Sequence, residues 1–251
     1  MRWTLIVEPM GRPGSENMSI DYSLLCRAQE GEAFLRLYRW QPPCLSFGRN
    51  EPALRRYDVG EIKRRGIDTV RRPTGGRAVW HATELTYAVA APNPTFGTLA
   101  ESYNIIHATL ASALRHLGVN AGLAAPRTVG TNALSGGACF AAPVGGEIIA
   151  AGRKLVGSAQ VREDRAFLQH GSVLLHDAQD VVTQVTAGKQ VWPVSTSISA
   201  ILGRDVEFDE VSAAIVAQTQ ESWSGSWNER PLPCAASEHP RFADSEWTWR
   251  R

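Results

Sequence analysis

Cys139 and Lys154 stand fifteen residues apart in a stretch, Ser135 to Leu175, that also carries Gly157-Ser158-Ala159-Gln160 and Gln169-His170-Gly171-Ser172. A thiol and an amine are the raw material of acyl transfer. The thiolate is the working nucleophile, and a free cysteine with a pKa of about 8.5 is mostly protonated at neutral pH, so a nearby ammonium favours its ionisation. Attack on a thioester would load the sulfur with an acyl group, and a second nucleophile would remove it.

A second cluster runs Arg71-Arg72-Pro73-Thr74-Gly75-Gly76-Arg77-Ala78-Val79-Trp80-His81. Adjacent glycines let backbone approach a ligand closely or take positive φ, and the arginines are able to bind a phosphate or carboxylate. The pattern is neither a Walker loop nor a dinucleotide fingerprint. A hairpin turn with solvated arginines fits it equally well.

These residues need a scaffold, and 251 residues are enough for one large domain with a sizeable core. The expected division is a catalytic domain over 1–220 and an irregular, tryptophan-rich tail over 221–251. With 26 basic against 25 acidic side chains the net charge is +1, so no global field recruits nucleic acid or an anionic membrane. No stretch approaches the roughly 20 apolar residues of a membrane span. A cytoplasmic monomer is expected. The cysteines Cys26, Cys44, Cys139 and Cys234 are scattered without a C-x-x-C pair, which signals neither a disulfide framework nor a metal site.

Periodicity supplies α/β material. Trp3 to Val7 reads as a strand, Gly11 to Gly14 as a loop, and Glu16 to Glu30 as a helix whose stripe includes Met18, Tyr22, Leu25 and Cys26. Strands follow over Ala33–Trp40, Cys44–Phe47, Ile67–Val70 and Glu84–Ala90. Thr98 with Glu101 forms a capping box for a helix whose stripe is Tyr103, Ile106, Leu110, Ala113 and Leu117. His107 and His116 read as surface or helix-end residues. Glu147–Ala151, Lys154–Val161 and Phe167–Leu175 read as three strands, the middle one presenting Lys154, Val156, Ser158 and Gln160 on a polar face in the middle of a sheet. Helical segments are expected near Ala178–Thr186, Ser197–Leu202 and Asp209–Gln220.

Three ordered motifs resemble the superfamily of lipoate-protein ligases and octanoyltransferases, which shares its catalytic fold with biotin-protein ligases. They are Arg71 to Val79 with His81 and Glu84-Leu85-Thr86-Tyr87; Gly152-Arg153-Lys154-Leu155-Val156-Gly157-Ser158-Ala159-Gln160; and Leu168-Gln169-His170-Gly171-Ser172. The resemblance covers roughly residues 1–205. It implies an α/β (α+β) fold built on a mixed, largely antiparallel sheet flanked by helices. It also implies a tunnel for an eight-carbon acyl chain, lined by Arg72, Gly75, Gly76, Arg77, Ala78, His81, Gly157, Ser158, Ala159, Gln160, His170 and Gly171, with Lys154 contacting the acyl carbonyl.

Cys139-Phe140-Ala141-Ala142-Pro143 resembles the cysteine context of the family's thiol-dependent octanoyltransferases, and Arg77 resembles them where many ligases carry a third glycine. The resemblance therefore implies transfer of octanoate from acyl-carrier protein, through a Cys139 thioester, to a lysine of a lipoyl-domain protein such as glycine cleavage H protein or a 2-oxoacid dehydrogenase E2. No cofactor is implied. The alternative is a lipoate-protein ligase that uses ATP and Mg, with the arginines at the adenylate phosphate and Cys139 a small buried residue. A catalytically silent acyl-binding or lipoyl-domain-binding protein is the third reading.

Overall fold

The computed structural model describes residues 1–125, 146–188, 195–231 and 239–250. In chain order the elements are β1 (Arg2–Arg12), α1 (Gly14–Gln29), β2 (Ala33–Trp40), β3 (Cys44–Phe47), α2 (Ala53–Arg56), α3 (Val59–Arg64), β4 (Asp68–Arg71), β5 (Val79–His81) and β6 (Glu84–Pro92). There follow α4 (Leu99–His116), β7 (Ala121–Leu123), β8 (Ile148–Ala150), β9 (Arg153–Lys154), β10 (Val156–Glu163) and β11 (Ala166–Leu174). The remainder comprises α5 (Asp180–Gln184), α6 (Ile198–Leu202), α7 (Phe208–Ser222), β12 (Ser226–Glu229), a 3-10 turn (Pro240–Ala243) and α8 (Ser245–Trp249).

The main sheet has the order β10-β11-β6-β2-β1-β12. Its β10/β11, β11/β6 and β6/β2 pairs are antiparallel, while β2/β1 and β1/β12 are parallel. Smaller sheets run β4-β3-β5 and β7-β8-β9. The mixed, largely antiparallel fold expected from the motifs is the fold observed.

Period-two alternation buries both faces of the main sheet. Leu85, Tyr87 and Val89 of β6 join Leu35 and Leu37 of β2 against Ile106, Leu110 and Leu114 of α4 and Val211 and Ile215 of α7. The alternate residues Ala88 and Ala90 join Phe34 and Tyr38 against Met18, Leu24 and Leu25 of α1. Full burial of each such Leu or Ile stabilises the fold by about 1.5–3 kcal/mol. α4 begins as its sequence predicts. Thr98 Oγ1 accepts from the Glu101 amide at 3.2 Å and the Glu101 carboxylate accepts from the Thr98 amide at 2.7 Å, satisfying two donors that a helix start would leave unpaired.

Several elements differ from the sequence reading. β1 runs on through Gly11 to Arg12, where the loop was expected, because its outer end still pairs with β2 at Arg12↔Trp40. Of the expected α1 stripe, Met18 and Leu25 are buried while Tyr22 and Cys26 are only half-buried, and Leu24 and Ala28 complete the core face. β10 is an edge strand rather than a central one. It is also not continuous with Lys154, which lies on β9 of the third sheet, paired opposite Ile149. Residues 221–251, expected to be irregular, carry in their described part β12 on the sheet edge, the 3-10 turn and α8. Trp3, Trp223 and Trp227 stack together beneath that edge, which gives the tryptophans a packing role.

Candidate active site

A cavity of about 310 Å³, its mouth included, opens between the α1 face of the main sheet and the β4-β3-β5 sheet. Its walls come from α1 (Met18), β2 (Tyr38, Trp40), β5 (Val79, His81), β6 (Thr86), the β10 edge (Gly157, Ser158, Ala159) and β11 (His170, Gly171, Ser172), with Arg72 following β4. Arg72, His81, Gly157, Ser158, Ala159, His170 and Gly171 are thus brought together as the motifs predict. Gly75, Gly76, Arg77, Ala78, Gln160 and Lys154 are not on this wall. Ala78 is buried in the small-sheet core, and the Gln160 and Gln169 amides pair at 2.6 Å. Cys139 lies outside the described residues.

The arginine and glycine segment is not a solvated hairpin. Arg71 and Arg72 are buried, and their guanidinium groups donate to backbone carbonyls: Arg71 to Gly48, Glu51 and Thr248, Arg72 to Ser46 at 2.8 Å and Arg77 at 2.8 Å. Burying a cation is tolerable only when its donors are met in this way. Gly48 permits the arrangement, since a side chain there would collide with the Gly76 carbonyl.

Two carboxylate-imidazole-hydroxyl chains border the cavity. In the first, Asp21 on α1 is fully buried, and its Oδ2 accepts from His170 Nδ1 at 2.9 Å and from the Tyr38 hydroxyl at 2.8 Å. Burial by itself would raise the Asp21 pKa, but the His170 hydrogen bond and the Arg36 guanidinium, 2.9 Å from Oδ1, hold it below its ordinary value. Burial lowers the His170 pKa despite Asp21. The neutral ring then carries its proton on Nδ1, and Nε2 accepts from Thr74 Oγ1 at 2.7 Å. His170 thereby ties the glycine loop to the main sheet.

In the second chain His81 Nδ1 meets Glu84 Oε1, and Nε2 meets Ser46 Oγ at 2.6 Å. Glu84 Oε1 also accepts from Thr86 at 2.7 Å and Ser172 at 2.8 Å. The His81 ring stacks on Trp40 at 3.9 Å between centroids. Both histidines are fixed wall groups, each oriented by a buried carboxylate.

On the opposite face of the sheet lies a third cluster. Lys154 Nζ donates to Glu147 Oε1 at 2.6 Å, with both side chains buried. His107, predicted at the surface, is fully buried. Its Nδ1 lies 2.7 Å from the Gly146 carbonyl and its Nε2 2.8 Å from Ser158 Oγ. Burial, with the Lys154 charge adding to it, pushes the His107 pKa down to about 4. The sequence did carry a signal, since His107 falls four residues after Tyr103 and three before Leu110, inside the helix's own apolar stripe. Asp21 carries the same kind of signal, being a polar residue four after Asn17 on the buried side of α1.

The chain matches the family described as lipoyl protein ligase A/B catalytic domain over residues 13–220. It belongs to that family. Among curated relatives, Octanoyltransferase LipM of Kyrpidia tusciae is 43% identical over 167 residues, 63% of this chain and 61% of the relative. Octanoyltransferase LipM of Moorella thermoacetica is 40% identical over 69% of this chain and 65% of the relative. These matches span less than two thirds of either relative's length. Octanoyltransferase LipM of Exiguobacterium sp. is 33% identical over 99% of this chain and 98% of the relative.

The family fold extends to solved structures. A lipoate-protein ligase A bound with ATP superposes with a TM-score of 0.79 at 21% identity, covering 99% of both chains. A bipartite lipoate protein ligase of Thermoplasma acidophilum, solved with its E2 lipoyl domain, gives 0.75 at 21% identity, covering 98% of this chain and 95% of that one. At such identity the likeness establishes the fold alone. Among the described residues of this family member, no helix is long and apolar enough to cross a membrane.

Proposed function

We propose that the protein is a cytoplasmic octanoyltransferase that takes octanoate from acyl-carrier protein and delivers it to a lysine of a lipoyl-domain protein, such as glycine cleavage H protein or a 2-oxoacid dehydrogenase E2. The Cys139 thiolate attacks the thioester carbonyl; the new carbon–sulfur bond forms as phosphopantetheine leaves as its thiolate. The neutral amine of the acceptor lysine then attacks the acyl-enzyme, the amide bond forms, Cys139 departs as thiolate, and the amine gives up its proton. In this reading Lys154, whose Nζ is held by Glu147 at 2.6 Å, supplies the positive charge that favours the Cys139 thiolate. Because the donor is already an activated ester, neither nucleotide nor metal is required. A relative named Octanoyltransferase LipM, alike over 98% of its own length, supports the reading.

The observation that carries it against the ATP-dependent ligase reading is the use made of Arg71 and Arg72. Those side chains, the natural candidates for an adenylate phosphate, donate to backbone carbonyls inside the protein. The cavity suits an alkyl chain, with Met18, Trp40, Val79 and the glycine-bearing β10–β11 edge as its apolar wall. The experiment is intact-mass analysis after incubation with octanoyl-acyl-carrier protein in the absence of ATP. An octanoyl adduct mapped to Cys139, absent from Cys139→Ala, is expected. Wild-type transfer by Cys139→Ala, or acceptor labelling that requires ATP and free lipoate, overturns the reading.

A further inference from the structure

His107 closes a ring of contacts that no single motif contains. The Gly146 carbonyl can only accept, so His107 Nδ1 carries the proton that spans the 2.7 Å between them. Nε2 of the neutral ring is therefore an acceptor, and the Ser158 hydroxyl donates to it over 2.8 Å. With its proton so used, Ser158 Oγ accepts from the Tyr87 hydroxyl at 2.7 Å, and Tyr87 accepts from Gln169 Nε2 at 2.8 Å. The Gly146 carbonyl thus sets the direction of the His107 and Ser158 protons, which makes the imidazole an orienting device.

The two ends of the imidazole reach the two segments that hold Lys154. Gly146 immediately precedes Glu147, whose carboxylate receives the Lys154 ammonium at 2.6 Å. Ser158 lies four residues after Lys154 and lines the cavity. β9 is only two residues long and belongs to the small β7-β8-β9 sheet, whereas Ser158 belongs to the main sheet. Backbone hydrogen bonds from Leu155 to Ile148, from Leu174 to Leu155 and from Thr196 to Lys154 fix the main chain of β9, and the line through His107 is a side-chain link between the Glu147 segment, which holds the amine, and the acyl wall.

We propose that His107 is a cross-brace: a positioning residue which, through Gly146 and Ser158, sets the Lys154 amine relative to the cavity wall formed by Gly157 to Ala159. The inference rests on the octanoyl-transfer reading for its consequence in catalysis, but not for the placement itself. His107 touches neither acyl group nor thioester. A misplacement of about 1 Å at a reacting group costs about 10²-fold in rate, and the loss falls on kcat, because the cavity that binds the chain keeps its wall residues.

The full chain is compared with His107→Phe, which fills the ring volume without either hydrogen bond, and with His107→Asn, whose amide retains a donor toward Gly146. Octanoyl transfer is measured as kcat and KM separately, the folded fraction is set by thermal melting, and Lys154 is observed by carbon NMR of 13C-lysine protein. Lys63, Lys154 and Lys189 are the chain's lysines, so the signal assigns readily against Lys154→Arg. His107→Phe is expected to lower kcat per folded molecule by about 10²-fold with KM within about twofold, and to shift the Lys154 signal; His107→Asn recovers part of both. A variant that melts earlier yet keeps wild-type kcat and an unmoved Lys154 signal overturns the proposal. If the wild-type chain transfers no octanoate, the activity reading fails, and the Lys154 signal alone still decides for or against the brace.

Discussion

The buried imidazoles are where a single proton matters most. His107 has its pKa pushed down to about 4 by burial, against an ordinary value of 6.5. Between those values the unfolded chain binds a proton at this residue and the folded chain does not, so folding opposes protonation. The stabilisation is complete above about pH 6.5 and is lost as pH falls toward 4. One pH unit of difference is worth about 1.36 kcal/mol, giving a loss of roughly 3 kcal/mol across the window. His170, also lowered by burial, contributes in the same direction, so the effect must be read as a difference. Urea unfolding of wild type and His107→Phe at intervals from pH 4 to 7 should give curves that converge as pH falls. Parallel curves would show that this ring does not resist protonation. Spacing places His107 and Asp21 on the buried side of their helices, but not their part in a site, because a polar side chain inside an apolar stripe looks like a break in the stripe until its partner is known. The partners, Ser158 and His170, lie 51 and 149 residues away.

At the scale of elements, the strands that wall the cavity were legible and their arrangement was not. Ala33–Trp40 and Cys44–Phe47 fall at the expected bounds, since alternation and the Pro42-Pro43 break are local signals. The division of residues 153–163 into β9 and β10 is not local. It depends on Leu155, whose amide turns to the Ile148 carbonyl of the third sheet, a contact that alternation cannot encode. The β10–β11 edge adds a steric condition of its own. A side chain on Gly171 would fall 2.6 Å from the Gly157 carbonyl and closer still to Ser158 Oγ, so only glycine lets these strands meet at the cavity. Gly171→Ala should cost about 1–3 kcal/mol by overpacking and push the Ser158 edge away from His107 and Tyr87. Thermal melting measures the first effect and octanoyl binding by titration calorimetry the second. Unchanged melting and affinity together would mean that the edge yields without consequence.

The molecule as a whole is held shut from its own far end. Composition alone suggested a tail, because residues 221–251 mix tryptophan with proline and charge and show no period. In the fold they are two separate devices. β12 extends the main sheet beside β1, while the 3-10 turn and α8 cross back over α1 and β4. There Phe242 joins the α1 core, Trp247 packs against it, and Trp249 packs on Phe47 of the small sheet at 5.1 Å between centroids. The carbonyls of Trp247 and Thr248 accept from Arg71 Nε at 3.1 and 3.0 Å, and Trp247 Nε1 returns a hydrogen bond to the Arg71 carbonyl at 3.0 Å. Arg71 opens the segment that carries Arg72 to the cavity and Thr74 to His170, so α8 braces the site's loop from outside. Removing residues 239–251 should therefore do more than trim a surface. Burial of Phe242 alone is worth about 1.5–3 kcal/mol, and Arg71 would lose its Trp247 and Thr248 acceptors. The expected outcome is a loss of about 3 kcal/mol or more by urea unfolding, with weaker octanoyl binding in the fraction that remains folded, because Thr74 and Arg72 hang from a loosened strand. Full retention of both stability and affinity by the shortened chain would show instead that β3, β4 and the Gly48 carbonyl suffice to hold Arg71 in place.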